Sequence, residues 1–389
     1  MTKKWSSRLT FFAFVVLMVG LGSNDSLRGI FSTIFQEHFS LTTTQLGLIV
    51  TASYIGNLVF LLVGGNLSTR FSKKRVLQVL ILIWMAALAL FAFTSNYTVL
   101  LIGMALALGS STLLNTTMNL ITPLLFATAP GFFVNFLFFT QEIGTSGSQY
   151  ILGSHADGFA FWQHTNLVLL ILGAVAFVLL LFCNVPAEAA APADAPAQKG
   201  GYDWRIIVPY VLVFGFYFIA EHGVMNWMVA YGVDGLGLPQ ASAAKYLSVF
   251  FGGMMIGRLC LSPLVDKLGA LKSLAAFGGV SCVLYLIGSL GGAVTMPVWA
   301  ISGLSFSILY PTLVMSIRLY FPAQQVSGAA GTILSIASLA DILFNVGFGK
   351  LVDMTGYAVS IRVLPLSALA FFIVFILFTK FCKPTQKLK

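Results

Sequence analysis

Twelve apolar blocks, each near the length that crosses a bilayer, follow one another along this chain. They run at 9–34, 43–66, 75–94, 97–126, 131–155 and 164–184, then at 204–232, 241–265, 271–289, 294–320, 325–350 and 358–381. A membrane-spanning helix needs about 20 such residues. Inside lipid the backbone must satisfy its own hydrogen bonds, so runs of this length and frequency admit only a bundle of helices. The predicted fold is therefore an all-α membrane protein with twelve transmembrane helices. The first block follows basic residues as a signal peptide would, but no small-residue cleavage site follows it and it reads as a retained helix.

Charge supports the same reading. Only 8% of the residues are charged, too few to cover the surface of a soluble domain. The net charge of +9 does not form one basic face. It collects between blocks, at Lys3, Lys4 and Arg8, at Arg70, Lys73, Lys74 and Arg75, at Lys267 and Lys272, and at Lys380, Lys383, Lys387 and Lys389. That is the pattern of cytoplasmic loops and not of a nucleic-acid interface, so no nucleic-acid partner is expected. With an even number of spans both termini lie on the cytoplasmic side of a cell (inner) membrane. The four cysteines are far apart, which argues for free thiols and against a metal centre. No nucleophile triad or phosphate loop is present, so neither enzyme activity nor a cofactor is expected.

The blocks divide six and six. Residues 185–203, "VPAEAAAPADAPAQKGGYD", are rich in Ala and Pro and read as a cytoplasmic linker between an N-terminal half (1–184) and a C-terminal half (204–389). Two landmarks repeat at nearly one spacing. The basic loop ending at Arg75 matches the one ending at Lys272, 197 residues on, and "GSHADG" around Asp157 matches "GKLVDMTG" around Asp353, 196 residues on. Parallel six-helix copies are a known transporter layout with the substrate site between the halves.

The loop "GGNLSTRFSKKR" resembles the signature loop of the major facilitator superfamily, with Thr69 at the usual acid and Ser72 at the usual glycine. The second copy, "LSPLVDKLGALK", keeps Asp266 and Gly269. The resemblance implies a cytoplasmic gate latch using Arg70, Lys73, Arg258 and Asp266; the alternative is a basic loop that only sets topology. Four further stretches resemble the fucose:proton symporter family of sugar carriers. These are "SNDSL" with "LTTTQLGLIVTASYIGN", "AEHGVMNWMVAY" with "AAKYLSVFFGGMMIGRL", "SILYPTLVMSI", and "SGAAGTILSIASLADILFNVGFGKLVD". The resemblance implies that Asn24 and Asp25 match the motif whose Asp handles the proton or substrate. In "NTTMN" Asn115 replaces the family's acid and Asn119 keeps its amide, while "NFLFFTQEIG" keeps Asn135, Gln141 and Gly144 and adds Glu142. Arg28 and Asp341 have no family counterpart.

Asp25, Glu142, Glu221 and Asp341, with Arg28 and His222, fall within predicted spans. A charge at mid-bilayer costs about 2.5–3.5 kcal/mol even on insertion scales, so such groups line an interior, pair, or take up protons. Asp25 and Arg28 share a helix face, either as a proton-responsive pair or as a permanent salt bridge. Glu221 and His222 fall at the repeat position of Asn24 and Asp25, which suits a proton relay or simple packing. Asp341 falls near the repeat position of Glu142, and a structural hydrogen-bonding role is expected for both. Asp25, Glu142, Glu221 and His222 are the proton-coupling candidates. Asn24, Arg28, Asn115, Asn119, Gln141, Asn226, Trp227 and Tyr310 are the substrate candidates, since amides and aromatic rings suit a small polar solute. The phenylalanines of spans 5 and 12 read as lipid-facing.

The expected activity is proton-coupled secondary transport of a sugar or sugar-like solute by alternating access, carried out by a monomer whose partners are solute, protons and lipid. The alternatives are an organic-anion carrier or drug exporter built on Arg28, and a sensor that binds solute without moving it.

Overall fold

The computed structural model describes residues 3–126, 130–183, 185 and 202–384; side chains are described there except at 3–6, 62–70, 120, 123, 130–132, 135, 266, 323, 324 and 327. Among the described residues there is no strand. The chain divides into two compact units, Met1–Ala195 and Pro196–Lys389. Most of the 185–203 segment expected as a linker lies outside the described residues.

Unit 1 is built from α1 (Lys3–Ile30), α2 (Ser32–His38), α3 (Thr43–Arg70), α4 (Lys73–Phe93), α5 (Tyr97–Leu125), α6 (Pro130–Ile151) and α7 (Phe159–Phe182). Unit 2 holds α8 (Trp204–Ala230), α9 (Gln240–Leu268), α10 (Ala270–Leu290), α11 (Met296–Ile301), α12 (Gly303–Phe306), α13 (Leu309–Ser316), α14 (Ala323–Thr355), α15 (Tyr357–Ser360) and α16 (Val363–Phe381). Eleven of the described helical segments are long and apolar enough to cross a membrane, and the 22-residue α6 supplies the remaining span. The result is the expected twelve-span all-α membrane fold.

Helix ends follow local chemistry. The Asn96 side chain accepts from the amides of Thr98 (2.9 Å) and Val99 (3.2 Å) and starts α5. Asp203 accepts from the Arg205 amide (2.9 Å) and starts α8. Each satisfies N-terminal donors that lack a partner in the helix. Gly269 (φ 81°) and Gly356 (φ 77°) end α9 and α14 in a backbone region where a side chain would be strained.

The two units repeat one packing scheme. In unit 1, α1 packs on α6 and α7, α5 packs on α3 and α4, and α4 packs on α7. In unit 2, α8 packs on α14 and α16, α9 packs on α11 and α12, and α10 packs on α11 to α13 and on α16. Span 10 departs from a single helix. It is divided into α11, α12 and α13 around Ser302 and Ser307, whose hydroxyls donate to Trp299 O (2.5 Å) and Leu304 O (2.7 Å). Serine hydroxyls that bond back to the preceding turn compete with the helical ladder there. The span-12 phenylalanines are not lipid-facing as a group. Phe371, Phe375 and Phe378 are buried because α16 is held by both α8 and α10. In span 5, Phe136 and Phe138 are exposed.

Candidate functional site

In unit 1 the candidate residues gather where α1 meets α4, α5 and α6. Close backbone approach sets this up. A side-chain carbon at Gly22 would overlap the Gln141 carbonyl, and one at Gly144 would overlap the Val19 carbonyl. With only hydrogens there, the helices touch and exchange bonds: Thr145 Oγ1 donates to Gly22 O (3.2 Å) and Ser23 Oγ to Gly144 O (3.3 Å). Small residues allow this kind of contact in membranes.

One step further along α1, Asn24 is buried and its Oδ1 accepts from Trp84 Nε1 on α4 (2.8 Å). Asp25 is half-buried, and Ser111 on α5 donates its hydroxyl to the carboxylate, 3.3 Å from each oxygen. Arg28, one turn on, is buried, lies within electrostatic reach of Asp25, and sets its guanidinium carbon 5.4 Å from the Tyr54 ring centre. Between α5 and α6 runs an amide ladder. Asn119 Nδ2 donates to Asn115 Oδ1 (2.6 Å), and Asn115 Nδ2 donates to Gln141 Oε1 (2.7 Å). All three amides are half-buried, as is Glu142. The expected residues Asn24, Asp25, Arg28, Asn115, Asn119 and Gln141 thus belong to one unit and one set of helices.

In unit 2 the candidates lie on α8 and its neighbours. His222 Nδ1 is 2.6 Å from Asp341 Oδ2 on α14. Its ring lies parallel to Phe218 at 5.3 Å. Trp227 is wholly buried and donates Nε1 to Asn345 Oδ1 (3.0 Å). Asn226 is buried. Glu221 is half-buried and lies within electrostatic reach of Tyr217, Tyr285 and Tyr310. The Tyr310 ring stands beside Phe214 (6.1 Å), Tyr217 (6.0 Å) and Phe218 (6.2 Å), an aromatic wall on this side of α8. Of the gating candidates, Lys73 is buried and Arg258 is half-buried within reach of Tyr217 and Tyr310. The side chains of Arg70 and Asp266 lie outside the described residues, as does that of Asn135.

Four partners were not singled out as site residues from the sequence: Trp84, Ser111, Asn345 and the specific pairing of Asp341 with His222. An apolar span hides a Trp or a Ser among many like it. Asp341 carried a signal, being an acid at membrane depth, but its partner lies 119 residues away.

Comparison with known proteins agrees with this architecture. The Major Facilitator Superfamily family model matches residues 10–343. The chain belongs to the major facilitator superfamily. It is 24% identical over 333 residues to the L-fucose-proton symporter of Escherichia coli (strain K12), covering 74% of this chain and 75% of that one. It is 27% identical over 341 residues to a glucose/galactose transporter of Brucella abortus biovar 1 (strain 9-941), covering 82% and 81%. Among solved structures it matches FucP in the outward conformation with a TM-score of 0.67 and 21% identity, over 97% of this chain and 99% of that one. The superfamily membership and the likeness to the fucose symporter both agree with the sequence motifs.

Proposed function

We propose that the protein is a proton-coupled carrier of a small polyhydroxylated solute, a sugar or close relative, working by alternating access in a cell membrane. The observation that supports it most is the set formed by Asp25, Ser111 and the Asn119–Asn115–Gln141 ladder in unit 1. A ladder of amides presents donors and acceptors side by side, which is what vicinal hydroxyls require. Asp25 adds one carboxylate at membrane depth, where an ionisable side chain marks a functional position. In this reading Asp25 takes a proton from outside, solute hydroxyls replace bonds within the amide ladder, and loss of the proton inside accompanies release. Ser111 donates to the charged carboxylate and rotates to accept from the protonated one, so it serves both states. Tyr310 is proposed as a solute-facing ring of unit 2, whereas the buried Asn226 and the wholly buried Trp227, whose Nε1 is held by Asn345, are proposed as packing supports of α8 and not as contacts. Glu142 and Glu221 are proposed, with His222, as auxiliary proton groups, and Arg70, Lys73, Arg258 and Asp266 as gate residues.

The test is uptake of radiolabelled L-fucose, D-glucose and D-galactose by proteoliposomes under an imposed acid-outside gradient. Accumulation that needs the gradient and disappears in Asp25→Asn, with exchange of solute across the membrane retained, is the expected result. Accumulation indifferent to both would overturn the coupling. A second reading, an organic-anion carrier, is favoured by one observation: a buried guanidinium on the same helix as Asp25. Loss of transport in Arg28→Gln for carboxylate solutes alone would select it.

A further inference from the structure

Unit 2 contains a polar chain whose direction can be read from donor and acceptor chemistry. Trp227 Nε1 can only donate, so the Asn345 atom 3.0 Å away must be the amide oxygen. That orients the Asn345 NH2 toward Asp341, to its backbone carbonyl at 2.8 Å and to Oδ1 at 3.3 Å. The Asp341 carboxylate is therefore an acceptor at Oδ1, and its other oxygen, Oδ2, faces His222 Nδ1 at 2.6 Å. The arrangement is satisfied throughout when Asp341 is ionised and His222 carries its proton on Nδ1. Both ends of the chain, His222 and Trp227, are on α8; both middle members, Asp341 and Asn345, are on α14.

We propose that His222 and Asp341 form a second proton-carrying site, in which Asp341 is a positioning residue and His222 Nε2 is the atom that gains and loses the proton. In the neutral ring the Nδ1 proton is held against Asp341, and the lone pair is left on Nε2. One proton added at Nε2 gives an imidazolium held by the carboxylate; one proton lost from Nε2 restores the starting pair. Burial among the packed helices separates the two partners. The Asp341 side chain is 2% exposed and the His222 side chain 25%. The other described charged or titratable groups on the elements packed against α8 are these. From α9 come Lys245, Tyr246, Arg258, Cys260 and Lys267, with Arg258 within electrostatic reach of Tyr217 and Tyr310; Arg362 and Lys380 stand at the two ends of α16; Lys350 and Asp353 stand near the end of α14; Asp234 is in the turn after α8. Tyr310 faces Phe218 from α13, and Glu221 and Tyr217 are on α8 itself.

This site deepens the proton-coupled reading, but it is measured without solute and so stands or falls apart from Asp25. The experiment is nitrogen NMR of the full-length chain labelled with ¹⁵N-histidine in lipid nanodiscs, between pH 5 and 9. The chain has four histidines, and His222→Gln identifies the signal that belongs to this one. The expected result is an Nδ1–H neutral tautomer that titrates within the range. Asp341→Asn is expected to abolish the tautomer preference and move the midpoint by about one pH unit or more. An Nε2–H tautomer, a ring that never titrates, or an Asp341→Asn protein with unchanged tautomer and midpoint would overturn the proposal. If Asp341→Asn does not fold, the unsubstituted protein's spectrum decides in its place: an Nδ1–H tautomer that titrates sustains the proposal, and an Nε2–H tautomer or a ring that never titrates overturns it.

Discussion

Replacing Gly144 by alanine should do far more harm than the same change at Gly147, three residues further along the same helix. At Gly144 the added methyl group would overlap the Val19 carbonyl and sit 3.0 Å from the Ser23 amide nitrogen, all of it backbone of α1. At Gly147 nothing lies within 4 Å. Both changes gain the same intrinsic helix propensity, about 0.8–1 kcal/mol, so the difference between them isolates the helix contact. Overpacking of this kind costs roughly 1–3 kcal/mol. Separation of α1 from α6 also strains the Thr145–Gly22 and Ser23–Gly144 bonds (3.2 and 3.3 Å), each worth about 0.6 kcal/mol on average within membranes. The net expectation is a loss of about 1–3 kcal/mol for Gly144→Ala, against a gain of up to about 1 kcal/mol for Gly147→Ala. Unfolding of the purified proteins in mild detergent, followed by heat and by denaturant, measures both. Transport should follow, because Asp25 sits only one turn beyond Gly22 on the displaced helix. Equal behaviour of the two variants would refute the claim that glycine is required there for backbone contact.

Trp84→Phe should destabilise unit 1 by about 1–3 kcal/mol, since it leaves the buried Asn24 oxygen without its 2.8 Å donor; Asn24→Leu in the same background should recover part of the loss, and the double variant's denaturation curve checks it. Asn115→Leu breaks both bonds of the amide ladder, and is expected to weaken solute binding at least tenfold while leaving the folded protein's circular dichroism unchanged; titration calorimetry with the transported sugar reads this. Asp203→Ala removes the cap of α8 at an exposed position, and should cost about 1 kcal/mol in thermal unfolding with no change in transport. Tyr285→Phe removes the 3.1 Å bond to the Ala220 carbonyl within unit 2, and should cost about 0.6–2 kcal/mol in the same assay.

Much of this molecule is legible from residue order because lipid imposes simple rules. Length and apolarity alone locate the spans, and the spacing of Arg75 from Lys272 and of Asp157 from Asp353 discloses the repeat that the packing of α1 and α8 then follows. The candidate residues on α1, α5 and α6 were legible through a motif, since "SNDSL" and "NTTMN" retain enough of a known pattern to be read one position at a time. Span 10 was not legible as three pieces. Its apolar content is continuous, and only the course of the backbone shows the breaks after Ile301 and Phe306. The phenylalanines of span 12 were misplaced for a related reason. Leucine and phenylalanine are equally at home against lipid and against helix, so apolarity at membrane depth does not say which face is covered.

What residue order determined by itself was the bilayer as solvent, the number of spans and the identity of the few groups too polar to be there by chance. Those follow from composition over short windows, which needs no knowledge of neighbours. Only the tertiary structure decided the partners: Trp84 for Asn24, Ser111 for Asp25, Gln141 for Asn115, and Asp341 for His222. A hydrogen bond depends on direction and on a fraction of an ångström. Where α1 meets α6, more than a hundred residues on, Gly22 and Gly144 let the two backbones come close enough to exchange such bonds.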